Sequence, residues 1–263
     1  MSDKVAELSE GMARVMTDLS GQIAIVTGAS GGLGAQFARA LAGRGARVAL
    51  AARRVERLSA LAEELGQGAA AFAYDAEDLD AAPALIEAVG ARLGVPTLLI
   101  NNAGISLPGR AQDQTPEEFE RTMAVNLRAP WRLSQLCAQR WIGAGSGGAI
   151  VNVASMLANR AGPGVSLYCM SKAALQHMTA CHALEWARHG IRVNALCPGY
   201  IRTEINDAFW ETPRGQAELA RLPRRRVGTP QDLDSALLFL CDPASGFVNG
   251  ASLTVDDAES WAI

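Results

Sequence analysis

Short apolar runs alternate with longer stretches of helical periodicity along almost the whole chain. Ile23-Ala24-Ile25-Val26 has the length of a strand and carries no polar position. A strand covered on both faces needs no polar alternation, so the run predicts a buried parallel strand. Six further runs read as strands: Arg47 to Ala52, Ala69 to Tyr74, Thr97 to Ile100, Ala149 to Ala154, Ile191 to Leu196 and Ser252 to Val255. Helical pattern fills the spaces between them, beginning with Phe37, Ala38 and Leu41. Thr115-Pro116-Glu117-Glu118 predicts a helix start, with Thr at the cap, Pro at the first position and Glu at the third. Thr229-Pro230-Gln231-Asp232 predicts another, running through Leu240. The stretch from Tyr168 to His189 is Ala-rich and apolar on most faces, which predicts a helix buried in a core or between subunits. The βαβα alternation predicts an α/β architecture: one doubly wound parallel sheet in a single domain over residues 19–263. Residues 1–18 form an extension in which Val5, Leu8, Met12 and Val15 or Met16 recur at helical spacing, read either as a short amphipathic helix or as a frayed terminus.

Composition narrows the class. Hydrophobic residues make up 49% and charged residues 19%, the balance of an ordinary globular protein. The net charge of −3 argues against nucleic acid as a partner, and Arg224-Arg225-Arg226 reads as a solvated or interface run. No apolar run reaches the roughly 18 residues that span a bilayer, and the N-terminus lacks the regions of a signal peptide. The five cysteines are scattered without a CxxC pair, as expected of reduced thiols in a cytoplasmic protein. His177 and His182 are off the register of a helical metal pair, so no metal site is expected.

Two stretches carry chemistry. Ser155 closes the fifth apolar run, and Tyr168 and Lys172 follow across a Gly/Pro loop. If a helix begins near Leu167, Tyr168 and Lys172 lie one turn apart on one face. An ammonium beside a phenol favours the phenolate, so Lys172 is expected to lower the pKa of Tyr168. Ser155 would hydrogen-bond a carbonyl oxygen beside that phenol. These groups suffice to protonate an alkoxide or deprotonate an alcohol while a hydride moves elsewhere.

The other stretch is Thr27-Gly28-Ala29-Ser30-Gly31-Gly32-Leu33-Gly34, set between a strand and a helix. Such a loop offers backbone N–H groups and a helix N-terminus to a pyrophosphate; alternatively it is only a glycine-rich turn. Asn101-Asn102-Ala103-Gly104 ends the fourth strand, where the amides would pin loops, face a ligand or mark a plain turn. Asn126 falls inside a helical pattern, an unfavourable place that a water, a backbone partner or exposure would explain.

With these pieces in order, the sequence resembles the short-chain dehydrogenase/reductase family in its compact, 3-oxoacyl reductase-like branch. The motifs are TGASGGLG at 27–34, Asp75, NNAG at 101–104, Asn126, Ser155, YCMSK at 168–172 and PGYIRT at 198–203. The resemblance implies a Rossmann fold. It implies an NAD(P)-dependent oxidoreductase that interconverts a ketone or β-keto compound and a secondary alcohol. Gly28, Ser30, Gly32, Leu33 and Gly34 would border the cofactor phosphates, Asp75 and Ala76 the adenine, and Asn102, Ala103 and Gly104 the crevice. Pro198, Gly199, Ile201 and Thr203 would meet the nicotinamide and its neighbouring phosphate. Ser155 would orient the carbonyl and Tyr168 would be the acid/base. Lys172 would bind the nicotinamide ribose, and Asn126 would hold a water of a proton relay. The family also implies a homotetramer. Residues 204–226 follow the nicotinamide-facing segment and would cover the site. Phe209 and Trp210 there suggest a medium-sized, largely apolar ketone or β-keto compound as the small-molecule carbonyl/alcohol substrate, unless both simply pack the lid onto the core.

The second strand ends in Ala51-Ala52-Arg53-Arg54, with Ala52 where an NAD-specific site puts an acid. Arg53 would pair with a 2′-phosphate, which favours NADP(H) over NAD(H) while leaving NAD(H) possible. Two other readings share the fold. One is a non-catalytic nucleotide-binding or regulatory protein, disfavoured by the complete Ser/Tyr/Lys set. The other is an epimerase or dehydratase, disfavoured by the lack of a separate C-terminal substrate region. One departure stands out: Val255-Asp256-Asp257-Ala258 replaces the VDGG-like turn common in the family, which leaves C-terminal packing open.

Overall fold

The computed structural model describes residues 17–204 and 206–262. The strands are β1 (Ile23–Thr27), β2 (Arg47–Ala52), β3 (Ala69–Ala73), β4 (Leu98–Asn101), β5 (Gly148–Val153), β6 (Ile191–Pro198) and β7 (Ser252–Val255). All pair in parallel, in the order β3-β2-β1-β4-β5-β6-β7. The order reverses between β1 and β4, and a crevice opens there beyond the strands' carboxyl ends.

Both faces of the sheet are covered, which is why its central strands read as unbroken apolar runs. Ala24, Val26, Leu50, Ile100 and Val151 pack under helices α1 (Gly32–Ala42) and α2 (Val55–Leu65), through Phe37, Leu41 and Leu58. Ile25, Leu99, Ile150 and Val193 pack on the other side under α3 (Ala81–Leu93) and α5 (Ala129–Gly143), through Val89, Leu133 and Trp141. The Trp141 indole donates to Pro96 O at 2.6 Å, and a Cβ at Gly148 would lie only 2.6 Å from its ring.

Helix α4 (Pro116–Met123) starts at Thr115 with the expected capping box: Thr115 Oγ1 accepts Glu118 N, and Thr115 N donates to the Glu118 carboxylate. Between α4 and α5 the chain widens into a π-helical turn, Ala124–Arg128. Helix α6 spans Ser166–Trp186 and ends in a 3₁₀ turn, Ala187–His189. Within the single chain it buries one face only: Leu175, Thr179 and Ala183 point inward, whereas Leu184 is 82% exposed and Met170 is open. Residues 207–221 form two short helices, α7 (Asp207–Trp210) and α8 (Pro213–Arg221). The helix expected after Thr229 opens as a 3₁₀ turn, Pro230–Leu233, before α9 (Asp234–Cys241). The helical reading of the N-terminal extension, and Ile205 in the covering segment, lie outside the described residues.

The C-terminal departure has a local solution. Asp257 and Ala258 both take left-handed backbone, φ 50 and 68, the conformation two glycines would adopt freely. Asp257 is held there by Arg224 Nη1 at 3.1 Å and Arg226 Nε at 2.8 Å. Two members of the arginine run are thereby tied to the C-terminal segment.

Candidate active site

Ser155 follows β5 in extended backbone, buried, and its Oγ accepts Leu157 N at 3.1 Å to cap the 3₁₀ turn Met156–Ala158. Tyr168 and Lys172 lie in the first turns of α6, with the ammonium 5.6 Å from the phenol ring centroid. Lys172 is 3% exposed, and its Nζ donates to Val153 O at 2.7 Å. Burial pushes the Lys172 pKa down to about 8. The Tyr168 phenol moves the other way. Burial raises its pKa, and a hydrogen bond with Ser155 only partly opposes that rise. The expected lowering by Lys172 is therefore corrected: in the protein alone, desolvation of the phenolate dominates.

Asn126 sits in the π-helical turn, fully buried. Its Oδ1 accepts Ile105 N at 2.8 Å, and its Nδ2 donates to Ile105 O and Ser171 Oγ, both at 2.9 Å. The unfavourable helix residue is thus explained by backbone partners, at a π-bulge of the kind often found at functional sites. Gly104 joins this group to Lys172. A Cβ there would stand 3.3 Å from Lys172 Nζ and 3.4 Å from Asn126 Oδ1.

Beside these groups lies the glycine loop. Thr27 Oγ1 accepts the N–H groups of Asn102 and Ala103 at 3.0 Å each, and Asn102 Nδ2 donates to Thr27 O at 2.9 Å. Asn102 therefore pins the ends of β1 and β4 together. Gly28 has φ 68, and a Cβ on Gly34 would collide with Gly28 O and the Asn102 amide. The loop then enters α1, whose first-turn N–H groups and dipole favour an anion. Leu33 is half-buried against the core behind the loop. An open groove of about 580 Å³ borders the loop, with Ser30, Gly31, Gly32, Arg57, Thr203 and Glu204 along it. The Gly32 Cα faces the Thr203 methyl, 3.5 Å from where a Cβ would stand.

At the end of β2, Arg54 and not Arg53 reaches the loop: its Nε and Nη2 donate to Ser30 Oγ at 3.1 and 3.0 Å. Arg53 turns toward Glu77, 3.5 Å away. Arg57, one turn into α2, pairs with Glu204 at 2.9 Å across the loop. Asp75 Oδ1 accepts Glu77 N at 3.0 Å and Ala76 is buried next to it, so both stand beyond β3 on the side of Arg53. On the far side, Pro198 ends β6, Gly199 N donates to Val255 O at 3.0 Å, and Ile201 is buried in a bridge to Gly228. Thr203 N donates to Asn206 Oδ1 at 2.8 Å. Trp210 is 1% exposed and packs edge-on against Tyr200 and Phe209, so it anchors the covering segment to the loop after β6. Phe209 is more open.

Sequence reasoning missed several members of this arrangement. Arg53 and Arg54 are a charged pair before a helix with no register to tell which faces the loop, and Arg57, inside the helix, carried no signal. Asn152 bridges Asn101 Nδ2 at 2.8 Å and Thr179 Oγ1 at 2.9 Å, forming a buried polar floor. Its signal was available: Asn101 and Asn152 occupy matching positions at the ends of β4 and β5. Glu259, buried under the loop after β6, carried no signal.

The cradle fits a dinucleotide. Side chains are excluded at Gly28 and Gly34, a helix N-terminus follows, and β2 ends in Ala52 where an NAD-specific site needs an acid, with Arg54 beside Ser30. Comparison with known proteins agrees. The model of the enoyl-(acyl carrier protein) reductase family matches residues 28–257. A D-threitol dehydrogenase from Mycolicibacterium smegmatis is 36% identical over 90% of this chain and 92% of its own. An L-tagatose-forming galactitol 2-dehydrogenase from Cereibacter sphaeroides is 38% identical over 92% and 96%. A gluconate 5-dehydrogenase from Burkholderia cenocepacia, solved in complex with NADP and tartrate, superposes with a TM-score of 0.88 at 33% identity, over 94% of this chain and 98% of that one. With motifs, fold and relatives in agreement, the chain belongs to the short-chain dehydrogenase/reductase family of NAD(P)-dependent oxidoreductases.

Proposed function

We propose that this chain is an NADP(H)-preferring oxidoreductase acting on a secondary alcohol of a small polyhydroxylated substrate, or on the matching ketone. The observation that supports it most is the grouping of Ser155, Tyr168, Lys172 and Asn126 beside a glycine cradle at one crevice. A nicotinamide cofactor bound there supplies or accepts the hydride. In reduction, Ser155 Oγ donates a hydrogen bond to the carbonyl oxygen and Tyr168 Oη delivers the proton to it. In oxidation the phenol takes the proton back. Lys172 would hold the cofactor's ribose, and its positive charge would favour the phenolate as the proton leaves. The Asn126 side chain is occupied by Ile105 and Ser171, so a relay water would bond its main chain. Gly28, Gly32 and Gly34 would admit the pyrophosphate, and Arg54 with Ser30 would receive a 2′-phosphate, with Arg53 as a second cation.

The names of the relatives, threitol, galactitol and gluconate dehydrogenases, favour a polyol or sugar acid over the apolar ketone suggested by Phe209 and Trp210. Burial of Trp210 against Tyr200 supports the same choice, since that ring lines the packing beneath the lid and not the substrate side. The exposed Met170 and Leu184 on α6 support a homotetramer in which that helix meets its copy, and a cytoplasmic setting suits the five free thiols.

A panel of threitol, galactitol, gluconate, their keto products and apolar ketones, assayed with NADP(H) and NAD(H), tests the reading. Turnover of a polyol or ketose with NADP(H) is the expected result. Activity confined to apolar ketones would overturn the substrate class, and no activity with any member would overturn the catalytic reading.

A further inference from the structure

Glu259 is the one acid among the described residues that is deeply buried, at 4% exposed. Its Oε2 accepts Tyr200 N at 2.7 Å. Its backbone carbonyl accepts Arg160 Nη1 at 2.6 Å. A Cβ at Gly199 would collide with the same carboxylate and would lie 2.7 Å from Asp256 Cβ, so the glycine is what lets the acid sit against this backbone. One short turn, Glu259–Trp261, thereby ties together two loops that flank the crevice. One follows Ser155 and the other runs from Pro198 to Thr203.

We propose that Glu259 is a positioning residue: its carboxylate fixes the backbone of the loop after β6, and loss of its charge lets that loop slacken. The inference rests on the reading above that this loop faces the nicotinamide. A charged acceptor makes a hydrogen bond roughly twice as strong as a neutral one. A loop already held in its binding conformation costs less to order when a ligand arrives. The left-handed Asp257 and Ala258 belong to the same device, since they turn the chain so that Glu259 points inward.

The groups around the carboxylate decide when it is charged. On its own segment stand Asp256, whose Oδ2 accepts Ser260 N at 2.8 Å, and Asp257, held by Arg224 and Arg226. The loop after Ser155 contributes Arg160, and the loop after β6 contributes Tyr200. Burial pushes the Glu259 pKa up to about 7, opposed first by the Tyr200 N–H and aided by Asp256 and Asp257. The carboxyl thus changes charge near neutrality. Its folded pKa lies above the unfolded value, so this group stabilises the fold in its neutral form. That contribution is complete below the ordinary glutamate value of 4.5 and is lost as pH rises to about 7. The fold and the loop therefore respond oppositely to pH.

The test uses Glu259→Gln, which keeps shape and an acceptor but never carries charge. NADPH dissociation constants are measured by fluorescence from pH 6 to 8, alongside melting temperatures without cofactor from pH 5 to 8. Wild type should tighten on NADPH by about fivefold more than Glu259→Gln across that range, the scale of a charge-assisted against a neutral hydrogen bond. The two proteins should agree near pH 6, where the 2′-phosphate titration is common to both. Wild type should also lose melting temperature relative to the variant as pH rises from 5 to 7. Parallel affinity profiles would overturn the positioning role, and parallel melting profiles would overturn the titration. Failure of wild type to bind NADPH at any pH would overturn the cofactor reading first, a result distinguishable from either.

Discussion

Along β1, β4 and β5 the sheet buries Ile25, Val26, Leu99, Ile100, Ile150 and Val151, and no polar side chain interrupts it. One residue further along each strand, burial continues but the chemistry changes: Thr27, Asn101 and Asn152 are as buried as the aliphatic residues before them. The interior packs without direction, and many aliphatic combinations would fill it. At the carboxyl edge the polar side chains are committed to named partners: Thr27 to Ile100, Asn102 and Ala103; the Asn101 Nδ2 to Asn152 and Ser134, its Oδ1 having none; Asn152 to Thr179; Lys172 to Val153. The interior supplies stability. The edge gives up some of it to hold a charge and a phenol where water cannot compete.

Removing interior volume should have the largest effect on stability and the least on chemistry. Phe37→Ala, fully buried under β1 and β2, should cost about 3–5 kcal/mol by denaturant unfolding. The kcat of the protein that remains folded should be little changed. A large fall in kcat at full folding would erase the division between the regions.

Asn152→Ala strikes the polar floor without touching the catalytic side chains. It leaves the Asn101 amide and the Thr179 hydroxyl each short of a partner, at a cost of about 1–3 kcal/mol. Because Asn152 lies directly before Val153, whose carbonyl holds Lys172, kcat should fall as well. A stability loss with unchanged kcat would move the floor to the interior's side of the comparison.

Lys172→Met sharpens the comparison through pH. The Lys172 pKa is depressed in the fold, so the folded state binds fewer protons than the unfolded chain between about pH 8 and the ordinary 10.5. Stability from this group rises with pH through that window. Below about 8 the full cost of burying the charge is present. The buried Cys137, Cys197 and Cys241 thiols act oppositely, since burial pushes each of them up. The difference between wild type and Lys172→Met isolates the lysine: it should move in favour of wild type as pH rises from 8 to 10. A constant difference would mean that Lys172 is not charged and desolvated as described.

The smallest expected effect lies at the rim. Wild type should prefer NADPH to NADH by at least about 10-fold in kcat/KM, or about 1.4 kcal/mol. Ala52→Asp combined with Arg54→Ala should lose or reverse that preference, because a carboxylate then faces the 2′-position and the Ser30-bound guanidinium is gone. Equal efficiencies in wild type would show that the rim arginines serve the fold alone.

The two regions also differed in how far the sequence revealed them. Strands announce themselves by composition, and the bounds of Arg47–Ala52 and Ser252–Val255 needed no correction, although the latter lies at the sheet's edge and is only partly buried. Caps with two reciprocal bonds, such as Thr115 with Glu118, are equally local. Ser155, Tyr168 and Lys172 were legible because their spacing survives folding. The direction of the Tyr168 shift was not, because desolvation depends on everything packed around the phenol. Arg53 and Arg54 are neighbours in sequence, and only the path of the chain out of β2 decides which one meets Ser30. Asn126 looked misplaced until the π-helical turn showed its partners, Ile105 and Ser171, 21 and 45 residues away in sequence. Glu259 acts through Tyr200, 59 residues away, and no local pattern encodes that contact.

The central claim is that Tyr168 moves the proton while its surroundings do the positioning. The direct measurement is steady-state kinetics of Tyr168→Phe on the best substrate of the panel, paired with NADPH titration of the same protein. The ring stays, only the hydroxyl goes, and kcat should fall by at least about 10², the scale of a lost general acid, with the NADPH dissociation constant nearly unchanged. Near-normal kcat in Tyr168→Phe would contradict the account.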